Sequence, residues 1–369
     1  HIDTNAQTAT DMEAKTGENG DVTIDTDHFS WYLVQAQSFQ PLSGYVGEAF
    51  INGGNFKLTG DAWTADGANI PNLSISKDTT IDLNGHTLKI SEAEQYFGVY
   101  DGAKLTIMDS QAPEETVSDA SGDVYGHVAT LNENTLTYYI TESTANGTGT
   151  TETLKKHEVP LTGGKILCGE ASAQAILVKG ALELQSGVLQ NAGGQHIVTV
   201  DSGTLNMTGG YIVGGGSNGT PGGGIYVDNG TLNISGGVIA ANRGSSGGGI
   251  FFQNGTLNIS GGAVTGNEVI NGHSDNGGGI YVNSGTLNLS GGYVTNNCKY
   301  CECSGCQSDK NNEHGGGGIA LANGSTMDMS GGYVTGNYSS LAGGGIYAGF
   351  YAGDGGVDFT MTGGTIASN

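Results

Sequence analysis

Positive charge is scarce in this sequence. Eleven Lys and a single Arg, Arg243, stand against 36 Asp and Glu, giving a net charge of −24 over 369 residues. Such a field repels phosphate backbones and anionic headgroups, so nucleic acid and an anionic membrane surface are not expected as partners. It also works against acidic polysaccharides unless cations bridge them. Long apolar runs are missing too: no stretch of about 18 apolar residues is present, so no membrane insertion is expected. Pro is rare, at 5 residues, and Cys is confined to Cys168 and one cluster. No secretory leader is visible at His1, which suggests a mature or trimmed chain. A surface of Asn, Thr, Ser and Gly points to an extracellular or bacterial cell-surface location.

What is abundant is Gly, at 68 residues. There is no Gly-X-Y period, which excludes collagen. Apolar residues recur at fixed places between the glycines, which argues against a flexible linker. The chain instead repeats a phrase: GIYVDNGTLNISGG from Gly224, then GIFFQNGTLNISGG from Gly249. The paired glycines at Gly209, Gly236, Gly261, Gly291, Gly331 and Gly363 are spaced 27, 25, 30, 40 and 32 residues apart. A supersecondary unit repeated at such a period signals a solenoid. Each period holds three short segments of period-2 alternation, such as Ile225–Asp228, Thr231–Ser235 and Val238–Ala240, separated by turn residues. That pattern predicts strands rather than helices. Three strands per coil, each pairing with its copy in the next coil, make an all-β parallel β-helix.

Alternation assigns the faces. Ile225, Ile250, Ile280, Ile319 and Ile346 point inward from the first strand. Leu232 and Ile234, Leu257 and Ile259, and Leu287 and Leu289 do so from the second. Ile239, Val264, Val294, Val334 and Ile366 close the core from the third. Three residues further on stand Asn242, Asn267, Asn297, Asn337 and Asn369, a ladder whose amides can satisfy buried backbone groups and one another. Gly215 replaces Asn one coil earlier.

These repeats resemble the right-handed parallel β-helix, the pectate-lyase-like superfold; the hand is implied by that resemblance. The "GG–xxx–N–GGGI" pattern over residues 205–369 is similar to the GGxI and xxN repeats of chlamydial polymorphic outer-membrane proteins, and the resemblance implies a surface adhesin. Here Val or Ile stands three residues before the Asn, not Phe. TIDLNGHTLKI at 80–90 and GVYDGAKLTIMDS at 98–110 look like the opening coils of large Gram-positive β-helix surface proteins. The expected organisation is an N-terminal cap over 1–49, containing WYLVQAQ at 31–37, and a β-helix over 50–369. An inserted hairpin is expected over 111–160, and a natural chain that continues past 369, with further domains of the same polypeptide.

Coil length varies between the ladder Asn and the following GGG: four residues after Asn242, nine after Asn267, 17 after Asn297 and five after Asn337. Long loops of this kind are commonly functional. The 17-residue loop at 298–314, CKYCECSGCQSDKNNEH, carries Cys298, Cys301, Cys303 and Cys306. Four thiols this close suit a tetrahedral Zn²⁺, with His273 and His314 as further candidate ligands. Two local disulfides are the alternative. Cys168 reads as a small buried hydrophobe.

A second signal lies on the outside of the first strand. If Ile225 and Val227 point in, Tyr226 and Asp228 point out, and the same register exposes Phe251 and Gln253, Tyr281 and Asn283, and Tyr347, with Ala320 leaving a gap. Aromatic rings beside carboxamides suit a glycan. Packing of exposed strands explains the same rings. Asp201 and Asp228 fall one coil apart, at a separation like that of a retaining glycosidase pair. Rows of Thr204, Thr231, Thr256, Thr286 and Thr326, beside Asn206, Asn233, Asn258 and Asn288, resemble the flat arrays of ice-binding proteins, although a solvated polar face is the default. The sequence lacks the basic catalyst that polysaccharide lyases of this fold use, and the Asp motifs of polygalacturonases. The expected function is a secreted or surface-attached β-helix adhesin or stalk that binds glycan or a host surface molecule. A carbohydrate-active enzyme using Asp201 and Asp228 is the alternative.

Overall fold

The computed structural model describes the chain except residues 1, 4–7, 10–13, 17–21, 25–37, 48, 65–72, 91–95, 124, 133, 146–149, 169–173, 192–194, 217–218, 271–275, 301–314, 341–342 and 350–355. It divides into two units, His1–Ser38 and Phe39–Asn369. In the first, Ile2–Asp3 pairs with Thr8–Ala9 and Ala14–Thr16 with Val22–Ile24, both antiparallel. The WYLVQAQ segment expected in a cap lies outside the described residues.

The second unit is an all-β parallel solenoid, with no helix among the described residues. Parallel pairing starts at Gln40–Tyr45 against Gly54–Trp63, so coils begin at Gln40 rather than at residue 50. The expected stacks are present in register. Ile225 faces Ile250, then Ile280, Ile319 and Ile346. Leu232, Leu257 and Leu287 align on the second sheet, and Ile239, Val264, Val294, Val334 and Ile366 on the third. All but Ile346 and Ile366 are fully buried. Burying each such side chain contributes about 1.5–3 kcal/mol, and no single coil does this without copies above and below it. Ile366, in the last coil, is 39% exposed.

The paired glycines have two different jobs. Gly237 sits at φ +80°, a left-handed conformation that costs a side-chain-bearing residue about 1–2 kcal/mol. Gly236 has ordinary φ, but a Cβ there would lie 2.2 Å from the Thr208 carbonyl oxygen of the preceding coil. Coil-to-coil contact therefore demands the first Gly and the turn demands the second.

The Asn ladder forms as expected. Asn242 Nδ2 donates to Asn267 Oδ1, Asn267 to Asn297 and Asn297 to Asn337, each at 3.0 Å. Each Nδ2 also donates to a backbone carbonyl in the third-sheet strand of the preceding coil, for example Asn267 to Ile239 O at 2.8 Å. Each Oδ1 accepts the backbone N–H of the previous rung. At Gly215, which lacks a side chain, the backbone N–H still donates to Asn242 Oδ1.

Two features exceed the expectation. The segment after each ladder Asn is a short fourth strand: Arg243–Gly244, Glu268–Ile270, Cys298–Tyr300 and Tyr338–Ser339 pair in parallel. The strands are two or three residues long, too short for alternation to announce them. The insertion is more than a hairpin. Thr135–Ala145 and Thr150–Pro160 pair antiparallel, flanked by Thr130–Asn132 and Thr116–Asp119 to make four strands. This sheet lies on the outside of the third solenoid sheet. Leu136, Tyr138, Ile140 and Val159 bury Val188, Val213, Val238 and Ala263 in a second core. Thr265 and Thr335 hydroxyls donate to the Tyr139 and Thr141 carbonyls.

One polar cluster holds this sheet to acid-sensitive chemistry. Tyr138 Oη and His157 Nδ1 both bind Glu115 Oε1, and the Tyr138 and His157 rings stack at 4.7 Å. Burial alone would raise the Glu115 pKa, but hydrogen bonds from His157 and Tyr138 outweigh it and hold the carboxyl below its ordinary 4.5. A depressed folded-state pKa adds stability above the unfolded value, and that stability is lost as pH falls below about 4.5. Thermal melts from pH 7 to pH 3 are therefore expected to show falling stability, with a shallower fall in Glu115→Gln. An unchanged slope in that variant would remove Glu115 from the explanation.

Candidate functional site

The first sheet carries the aromatic row where the register predicted it. Tyr226 aligns with Phe251 and Phe251 with Tyr281, followed by Ala320 and Tyr347. Ring centroids lie 5.2 Å apart for Tyr226–Phe251, with planes 2° apart, and 5.3 Å for Phe251–Tyr281. The rows of strands place these rings at coil spacing; Tyr226 and Phe251 stack face to face, while Tyr281 packs on Phe251 with its plane tilted by 32°. Tyr226 and Phe251 thus turn faces inward along the row and present edges outward. Sequence spacing alone places rings at the right height but says nothing of their tilt.

His196 extends the row, stacking on Tyr226 at 4.9 Å. It falls outside the strand register, so alternation did not announce it. Its Nδ1 lies 2.9 Å from Pro221 O. Burial pushes the His196 pKa down, against the backbone contacts at Pro221 and Gly222. Asn283 Oδ1 accepts from Tyr281 Oη at 3.2 Å and also from Asn323 Nδ2. Gln253 is half-buried beside them.

The Asp pair departs from expectation. Val200 aligns with Val227, but Asp201 then aligns with Asn229, because a bulge at Asp228 shifts the register. Asp201 is ion-paired to Lys179 at 3.1 Å, while Asp228 is exposed. The two carboxylates are therefore not register partners. Alternation does not reveal a bulge, since the extra residue changes the pairing and leaves the residue types unaltered.

The cysteine cluster is only partly described. Cys298 is fully buried at the start of a fourth-sheet strand, aligned with Glu268. Burial, then the Glu268 charge, push its thiol up to about 12. Cys301, Cys303, Cys306, His273 and His314 lie outside the described residues. Among the described residues no group of three or more His, Cys, Asp or Glu is placed to hold a metal ion. Cys168 is buried in the core, as expected.

On the second sheet the Thr row is in register from Thr204 to Thr326. The neighbouring Asn amides bond along the axis: Asn233 to Asn206 at 2.7 Å, then Asn258 to Asn233 and Asn288 to Asn258, both at 2.8 Å. Asn233 and Asn258 each spend one donor and one acceptor along the row. Two cavities were not legible in the sequence. One, of about 600 Å³, lies between the inserted sheet and the coils, lined by Leu131, Gln190, Gly215 and Arg243. Arg243 there is bound to Glu268 at 3.1 Å. The other opens near the start of the third sheet, around Trp63.

Fold and surface together define a Gly-rich parallel β-solenoid carrying an antiparallel sheet on one flank. No protein-family model, curated protein or solved structure matches the chain.

Proposed function

We propose that this protein is a β-helical adhesin or stalk, secreted or on the bacterial cell surface, whose first sheet binds a glycan or a host surface molecule. The observation that carries the reading is the straight row Tyr226, Phe251 and Tyr281 in register on three successive coils, bordered by Gln253 and Asn283. Coil spacing of about 4.8 Å is close to the length of a sugar residue, so a glycan can lie along the axis. Because the rings stack on one another, it would meet ring edges, phenol hydroxyls and carboxamides rather than ring faces. The Asn ladder and the long Gly-rich coils support the further likeness to pectate-lyase-like β-helices and to polymorphic outer-membrane protein repeats.

Tyr281→Ala is expected to weaken binding of a neutral glycan by about 1 kcal/mol, close to fivefold, as for loss of an aromatic contact. Lost stacking on Phe251 should also lower stability by about 0.5–1.5 kcal/mol. A glycan array and a thermal melt read both. If the melt changes and every glycan signal stays as it was, the row is a structural stack.

A further inference from the structure

The first-sheet row spends its ring faces internally; one aromatic ring elsewhere does not. Trp63 ends the strand Gly54–Trp63, pointing out from the third sheet, and is 42% exposed. Its Cη2 edge leans over Gly44, where a Cβ would sit 3.8 Å away. Among the described residues it makes no ring stack. The outward row runs Tyr45, Trp63, Lys89, Leu167 on successive coils. Further along the same sheet the corresponding positions disappear under the inserted sheet, where Val213 and Ala240 belong to the second core. Among the described residues, the inserted sheet does not cover the stretch around Trp63.

A groove of about 570 Å³ opens here, lined by Asp61, Trp63, Thr87, Lys89, Lys165 and Leu167. That volume lies within the range of small-ligand sites. Two of the eleven Lys converge on it, in a chain of net charge −24. Among the described residues no carboxylate lies within ion-pair distance of either ammonium; Lys165 Nζ donates to the Leu161 carbonyl at 3.2 Å, at the foot of the inserted sheet. Burial pushes the Lys165 pKa down, with the Asp61 charge opposing. Asp61 Oδ1 accepts the Thr87 N–H at 2.9 Å and lies 3.9 Å from His86 Nδ1, and its side chain is 72% exposed.

We propose that this groove binds a single acidic pyranose, a uronate: the ring on Trp63, its carboxylate at Lys89 and Lys165, its hydroxyls donating to Asp61. The chemistry selects this class. An exposed indole provides the apolar platform that a sugar ring packs on. Ammonium groups make charge-assisted bonds to a carboxylate. Asp61 repels a phosphate dianion but accepts hydroxyls. The overall negative field disfavours a long polyanion and leaves a monoanionic sugar or chain end. The site is separate from the first-sheet row, and Tyr281→Ala leaves it intact.

Glucuronate and glucose differ only at C6, so they form the test pair, with inorganic phosphate as the competing anion. In a Trp31→Phe background Trp63 is the sole Trp, and its fluorescence reports binding; calorimetry covers Trp63→Ala. Glucuronate is expected to bind at least about tenfold more tightly than glucose, an increment of the size one charge-assisted contact gives. Lys89→Met with Lys165→Met should erase the preference. Trp63→Ala should weaken both sugars while far-UV circular dichroism and the thermal melt stay as in the parent, since the side chain is outside the core. Equal affinity for the two sugars, absence of binding by glucuronate, displacement of glucuronate by phosphate at equal concentration, or unchanged binding in Trp63→Ala would each overturn the proposal.

Discussion

Asn267→Ala is expected to destabilise the solenoid by on the order of 3 kcal/mol or more. Asn267 Oδ1 accepts both the backbone N–H and the Nδ2 of Asn242, and its Nδ2 donates to Ile239 O and Asn297 Oδ1. Asn242, Asn267 and Asn297 are all fully buried. Removing the amide strands several buried polar groups where water does not reach, at ~1–3 kcal/mol each. Asn233→Ala is the matched control. Asn233 belongs to a ladder of the same kind, bonded to Asn206 at 2.7 Å, but it is half-exposed. Water replaces its partners, and the expected cost is under about 1 kcal/mol. Urea titrations of both variants measure the difference. Equal losses would mean that burial is not what makes the inner ladder count.

Ile250→Asp should cost still more. Ile250 stacks between Ile225 and Ile280, and all three are fully buried. A carboxylate there has no cation or donor row to meet, and leaving it charged in an aliphatic stack costs more than about 4 kcal/mol. In a solenoid each coil is stabilised by its two neighbours, so the damage spreads as the loss of adjacent coils rather than of one side chain. Hydrogen exchange is expected to show lost protection centred on the coils from Ile225 to Val282. A soluble Ile250→Asp protein with parent-like protection would overturn the assigned register.

Both outcomes bear on the proposed function, since a row of side chains at coil spacing is only as regular as the coils beneath it. The ladder and the aliphatic stacks hold the first sheet straight enough for Tyr226, Phe251 and Tyr281 to keep their spacing. The Trp63 groove depends on the same backbone and also on where the inserted sheet stops covering the third face.

The strands, their inward faces, the Asn ladder and the heights of the aromatic rings were legible in the sequence because a solenoid writes its contacts as a period. Ile225 meets Ile250 because the same phrase recurs 25 residues later, and local alternation says which way each side chain points. Where the period fails, so does the reading. Asp228 looks like a partner of Asp201 until a bulge shifts the pairing to Asn229. The fourth-sheet strands are too short to show alternation. Val188, Val213 and Val238 face outward in the third sheet, and only the inserted sheet, from residues far away in the chain, buries them. Ring tilt along the aromatic row follows from packing between neighbours. Asp61, Lys89 and Lys165 belong to three different coils, with the whole insertion between the last two. The periodic part of this molecule is decided by contacts between copies of one sentence, which sequence records. The insertion, the bulge and the groove are decided by contacts between unlike segments, which only the assembled tertiary structure brings together.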